Sequence, residues 1–230
     1  MNEDTPARDV LLRAEHLRKV YPDGLIRAID DVSLDIRRGE YLAVMGRSGS
    51  GKSTLLNILG ALDRPTSGEV YFDGQAVGAM PRLDHYRAYK VGFVFQSFYL
   101  LPMLTALENV QMPMLMTHRP QSARAERARQ LLERVGLAGR IRHLPKNLSV
   151  GERQRVAVAR ALANDPAVIL ADEPTGNLDT ATAAGIVELF DQLHRDGDVT
   201  IVMVTHDPEI AHHLPRVVRM QDGRIVADAG

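Results

Sequence analysis

The chain has 230 residues, a net charge of −1 and no cysteine. That length suits one domain with a substantial core, and the absence of thiols excludes disulfides and thiol chemistry. Charges are scattered without a basic block, so nucleic acid is not an expected partner. The opening MNEDTPARD is polar and acidic, unlike a signal peptide, and apolar runs such as 167–171 and 201–204 are far below the roughly 20 residues of a membrane span.

In chain order, the first third predicts strands at 11–19, 28–36, 40–45 and 69–72, with Arg38-Gly39 and Asp73-Gly74 as turns. Residues 46–53 read GRSGSGKS, between the strand at 40–45 and a helical stretch at 54–62. Glycines let such a loop turn its N–H groups inward, and the helix behind it adds the positive end of its dipole. This is a phosphate-binding loop in its expected setting, with Lys52 reaching β- and γ-phosphates and Ser53 binding Mg²⁺.

Further strands are predicted at 91–95, 168–171 and 200–204. Strands interleaved with helices imply a mostly parallel sheet, which places ligands at the carboxyl ends of its strands. Gln96, Asp172, Glu173 and His206 all fall at such ends. Roughly 70 residues separate Gln96 from Val168, too many for a loop, and predict a helical subdomain. Within it a helix is expected at 122–135, capped by Ser122 and ended before Gly136, and another at 149–163. A core helix is expected at 180–195, stopped by Gly197.

Asp172 and Glu173 should point to opposite sides of an extended strand. Asp172 is then placed for the metal beside Ser53, and Glu173 to take a proton from an attacking water. His206 reaches the same edge and is a candidate for contact with a γ-phosphate or that water, a placement the other histidines lack. Ser149 and Glu152 fit a capping box, and the helix start they define is also an anion site. A second phosphate-binding element is superfluous in one closed site and points to a second protomer.

These residues resemble the ATP-binding subunits of ABC transporters from about Leu11 to Val226. Walker A matches 46–53, the Q-loop Gln96, the signature motif 148–152, Walker B 168–172, the D-loop 176–179 and the switch histidine His206. The resemblance implies an α/β fold: a P-loop NTPase core with a mostly parallel sheet, an N-terminal antiparallel β-subdomain and an inserted α-helical subdomain at 97–165, all within one domain spanning 1–230. It implies that ATP is held by Tyr21 on the adenine, by Gly46, Arg47, Ser48, Gly49, Ser50, Gly51, Lys52, Ser53 and Thr54, and by Gln96. Mg²⁺ is held by Ser53, Gln96 and Asp172, and Glu173 and His206 are catalytic. Ser149, Gly151 and Glu152 serve the partner's nucleotide in a head-to-tail homodimer that sandwiches two ATP molecules.

Segments 91–110 and 169–179 look most like the lipoprotein-release, macrolide-export and cell-division group. That group implies a cytoplasmic protein, peripheral on the inner face of the cell membrane, docked on integral membrane permease subunits. The apolar segment 98–104 is the expected docking surface, with packing inside the helical subdomain as the alternative. A regulatory ATPase gating a periplasmic cell-wall hydrolase is the alternative function. One departure is Val150, where the signature has its first glycine; it adds a β-branched side chain beside the expected phosphate.

Overall fold

The computed structural model describes residues 10–22, 26–197 and 199–230. The N-terminal segment 1–9, whose polarity argued against a signal peptide, lies outside the described residues. Strands β1 (Val10–Val20), β2 (Arg27–Arg37), β4 (Ser67–Phe72) and β5 (Gln75–Ala76) form an antiparallel sheet in the order β2-β1-β4-β5. The second sheet has the order β10-β9-β3-β8-β7-β6, from β3 (Tyr41–Met45), β6 (Val91–Phe95), β7 (Val168–Asp172), β8 (Thr200–Thr205), β9 (Arg216–Gln221) and β10 (Arg224–Ala229). Its strands run parallel except β10, which pairs antiparallel with β9.

Seven α-helices connect these strands among the described residues. They are α1 (Lys52–Leu59), α2 (Leu83–Tyr89), α3 (Ala106–Gln111), α4 (Gln121–Arg134), α5 (Val150–Ala161), α6 (Thr180–Gly197) and α7 (Pro208–His213). None is long and apolar enough to cross a membrane.

Alternation along each parallel strand divides the core in two. On β3, Tyr41 and Ala43 face a layer containing Val110, Leu131, Val158 and Phe190, whereas Leu42 and Val44 face α1 and the antiparallel sheet. Helix α1 is therefore enclosed, and Leu55, Leu56, Ile58 and Leu59 are each no more than 2% exposed. At about 1.5–3 kcal/mol per fully buried aliphatic side chain, that burial holds the start of α1 firmly against the sheet.

The register fixes the functional edge. Met45 pairs with Thr205, Asp172 with Val204 and Phe95 with Asp172, so Gly46, Gln96, Glu173 and His206 all leave the sheet at the same end.

Several predicted boundaries differ. Helix α1 begins at Lys52, inside the loop, and α4 begins at Gln121. Ser122 is not its cap: Pro120 occupies that position, with no side-chain hydrogen bond, because proline's fixed φ suits entry to the helix. Gly136 follows the end of α4 with φ 77°, as expected of a helix stop. Helices α2, α3 and α7 and strands β5, β9 and β10 lie outside the elements the sequence predicts.

Candidate functional site

Two glycines in the loop have φ of 80° and 99°, Gly49 and Gly51. A β-carbon on Gly51 would also lie 2.2 Å from the Ala28 carbonyl, so this position demands glycine for both backbone and space. Gly46 is confined similarly, its missing β-carbon 2.3 Å from the Met220 carbonyl. The Gly223 N–H donates to the Ser50 carbonyl at 3.1 Å, and Asp30 N–H donates to the Gly223 carbonyl at 2.8 Å. The loop is thus braced from behind by β2 and by the turn joining β9 to β10.

Lys52 is 5% exposed, and its ammonium donates to the Gly46 and Arg47 carbonyls at 2.8 and 3.0 Å. Both are acceptors of its own loop, so a phosphate need only take over from them. The buried Ser50 hydroxyl has no partner among the described residues, while Arg47 and Ser48 are exposed and Thr54 half-buried. A cleft of about 1130 Å³ opens here, lined by Gly46, Arg47, Ser48, Gly49, Glu173 and His206 among others. It is large enough for a nucleotide.

Ser53 Oγ donates to Asp172 Oδ1 at 2.9 Å. Burial holds the Asp172 carboxyl above its ordinary pKa, partly offset by that hydroxyl and by Lys52. Among the described residues no group of three or more His, Asp or Glu side chains is placed to hold a metal. A hydroxyl and one carboxylate beside a phosphate site nevertheless suit Mg²⁺, which takes few protein ligands and completes its shell with phosphate oxygens and water.

Glu173 corrects the expectation of an extended strand. Its φ is 45°, its N–H donates to the Val204 carbonyl at 3.0 Å, and the kink directs its carboxylate to His206, with Oε2 3.1 Å from Nδ1. Backbone strain of this kind costs about 1–3 kcal/mol and persists where surrounding structure imposes it. The Glu173 side chain is 22% exposed and that of His206 62%, so the pair lies at the mouth of the cleft.

Gln96 is engaged elsewhere in this state. Its Nε2 donates to Asn177 Oδ1 at 3.3 Å, and Asn177 Nδ2 donates to the Gln96 carbonyl at 2.9 Å. Tyr21 is not among the residues lining the cleft; Lys19 Nζ stands 5.1 Å from its ring centroid. Residues 23–25, just beyond it, lie outside the described residues.

The helix start at Ser149 forms the full capping box: Glu152 N–H donates to Ser149 Oγ at 3.1 Å, and Ser149 N–H donates to Glu152 Oε2 at 2.8 Å. The other carboxylate oxygen accepts from Arg140 Nε at 2.8 Å. The Ser149 backbone and Arg140 together lower the Glu152 pKa. Ser149 and Val150 face solvent, Val150 at 38% exposure. Gly151 is buried, and a β-carbon there would meet Thr182 Cγ2 at 2.4 Å. Its small size therefore has a reason inside this chain.

Sequence reasoning missed the wall built by Arg219, Met220, Gln221 and Asp222, whose only signal was the turn-forming Asp222-Gly223 pair. It also missed the lock of Asn177 on Gln96, which needs the folded position of both loops.

The family model described as ABC transporter matches residues 29–176. The chain is 46% identical to the lipoprotein-releasing system ATP-binding protein LolD of Chromohalobacter salexigens, covering 99% of each chain. It is 50% identical to the macrolide export ATP-binding/permease protein MacB of Rhodopirellula baltica over 92% of this chain but only 32% of that protein, so it spans about a third of the relative's length. Among solved structures, the dimeric post-hydrolysis state of the ATP-binding cassette MJ0796 bound to ADP and Pi superposes with a TM-score of 0.87 at 42% identity, covering 95% of this chain and 97% of that one.

Proposed function

The chain belongs to the ABC transporter family and is one of its ATP-hydrolysing subunits; from this premise we propose that it drives separate integral membrane permease subunits of lipoprotein-release or export type. It acts as a homodimer that sandwiches two ATP molecules, on the cytoplasmic face of the membrane. Residues 97–165 serve as its inserted helical subdomain. The observation that carries this reading is the convergence of Lys52, the Ser53–Asp172 pair and the Glu173–His206 pair at one sheet edge.

Lys52 exchanges its two loop carbonyls for β- and γ-phosphate oxygens, and the loop N–H groups with Ser50 and Thr54 take the rest of the polyphosphate. Ser53 and Asp172, with Gln96, would hold Mg²⁺, which would supply positive charge to neutralise the negative charge gathering on the phosphates. Glu173 accepts a proton from the water that attacks the γ-phosphorus in line with the departing ADP oxygen. His206, 3.1 Å from that carboxylate, keeps it oriented and faces the γ-phosphate. The products are ADP and inorganic phosphate. Tyr21 stacks on adenine, and Ser149, Gly151 and Glu152 complete the partner's site.

Docking falls to the apolar strip after Gln96. Tyr99, Leu101 and Met103 are 65%, 43% and 85% exposed, and Leu115 and Met116 lie exposed at 53% each. Leu100 packs inward, and the buried Asn109 pins the loop by donating to the Leu101, Leu104 and Thr105 carbonyls at 2.9–3.1 Å. An apolar strip held this firmly suits a membrane subunit's loop.

Glu173→Gln tests the reading. Turnover should fall about 10²-fold or more while Mg²⁺-ATP binding persists and drives dimer formation in sizing experiments. A loss below tenfold would refute Glu173 as the base. The alternative role, gating a cell-wall hydrolase, uses the same ATP residues and is separated by identifying the membrane protein that co-purifies.

A further inference from the structure

Directly after Gln96 the backbone does something unusual: Phe98 and Tyr99 both adopt left-handed φ, 60° and 46°. Two successive non-glycine residues in that region need support from outside the turn. Internal hydrogen bonds are few: Phe98 N–H donates to the Phe95 carbonyl at 3.2 Å, and Tyr99 N–H to the Ser97 carbonyl at 2.6 Å.

The outside support comes from α5. Arg160 Nη2 donates to the Phe98 carbonyl at 2.6 Å and Nη1 to the Tyr99 carbonyl at 2.5 Å, so one guanidinium fork spans the two strained peptides. Arg153, two turns earlier on the same helix, lies over the Phe98 ring with its guanidinium carbon 5.6 Å from the centroid. Arg160 is half-buried, and among the described residues no carboxylate lies within ion-pair distance of it. Burial draws its pKa below the ordinary arginine value. A desolvated cation answered only by two carbonyls is an expensive way to hold a surface turn, and the hydrolytic scheme makes no use of it.

The same helix begins at Ser149 and also holds the loop after Asp172 and Glu173, since Gln154 Nε2 donates to the Pro174 carbonyl at 2.7 Å. One rigid element thus grips the residues that follow Gln96, those that follow Glu173 and the signature turn. We propose that Arg160 is a positioning residue for ATP hydrolysis: by holding the Phe98–Tyr99 turn it fixes Gln96 at the edge of the ATP site and keeps it in step with the helix that carries Ser149. The fork is what matters. Lysine offers a point charge on a flexible stem and cannot span both carbonyls in one plane. This role rests on Gln96 belonging to the ATP site.

The chain contains no tryptophan, so Tyr99→Trp, at a position 65% exposed, installs a single reporter on the turn. In the full-length reporter protein, Arg160→Met should lower tryptophan anisotropy and reduce kcat about tenfold or more, with KM for ATP within about threefold, because the phosphate loop is untouched. Arg160→Lys should fall between. Unchanged anisotropy, or a rise in KM matching the loss in kcat, overturns the proposal. If Arg160→Met does not fold, Arg160→Lys decides on the same readings. Gln96→Ala run alongside separates the two ideas: undiminished turnover there refutes the reading of Gln96, whereas a loss there with normal turnover in Arg160→Met refutes the clamp alone.

Discussion

The phosphate loop and the signature turn are both helix starts, whose N–H groups and dipole suit an anion, yet they are finished to different degrees. At the loop, Lys52 is buried against its own carbonyls, Ser53 is paired with Asp172, and β2 and the β9–β10 turn close the back. At the signature turn, Ser149 and Val150 stand in solvent, and only the side facing the rest of the chain is packed, through Gly151 and Glu152. The first is complete within one chain; the second is complete in its fold and open in its chemistry. A surface that is internally capped but externally bare is what a site shared with a second copy requires.

The comparison breaks most sharply at Lys52. Lys52→Ala should lower kcat/KM about 10²- to 10³-fold, with a more modest fall in the thermal midpoint from the two loop-carbonyl hydrogen bonds it gives up, because its larger expected role is charge-assisted contact with phosphate. A small kinetic effect with a large loss of stability would mean that its loop carbonyls are its real partners.

Gly151→Ala should differ by affecting stability as well as turnover, destabilising the fold by about 1–3 kcal/mol through the methyl forced against Thr182. Thr182→Ser in the same chain removes Cγ2 yet keeps the hydroxyl that donates to Asp179 Oδ2 at 2.6 Å, so it should restore the melting temperature. Failure to restore it would show that contact with Thr182 Cγ2 is not what demands glycine here.

Ser149→Ala removes the cap and should cost about 1 kcal/mol, together with a weaker ATP-dependent dimer; denaturant melts and sizing of the Glu173→Gln background read the two effects separately. The smallest effect concerns Asp172. Its folded pKa is raised by burial, so between the ordinary carboxylate value and the raised one the folded state binds more protons than the unfolded state, and stability declines as pH rises through that window. Asp172→Asn should therefore melt higher than wild type at neutral pH, with the difference vanishing below the ordinary carboxylate range. A difference that persists in acid would assign the effect to something other than ionisation.

How much of this could be read from the residues differs by element. Strand β6 ends where its apolar pattern ends, and the loop, the capping box and the carboxylates at strand ends were legible because local chemistry alone produces them. Strands β9 and β10 were not, since β10 is almost wholly exposed along its length and offers no apolar alternation to detect. Helix α7 is six residues long, too short for a periodic signal. The turn of Glu173 into left-handed backbone was illegible for another reason: the Val204 carbonyl that receives its N–H comes from a different strand. Arg160 likewise gave no signal, because its purpose is written in the conformation of residues some sixty positions away.

The bracing of the phosphate loop has a consequence for anyone mapping this protein by replacing side chains one at a time. The nearest atoms to the missing β-carbons of Gly46 and Gly51 are the carbonyl oxygens of Met220 and Ala28, which every amino acid carries. Alanine at 220 would leave its oxygen in place, and position 28 is alanine already. A scan would read only the lost core packing of the buried Met220 side chain and nothing at position 28, although the main chain at both points shapes the floor of the loop.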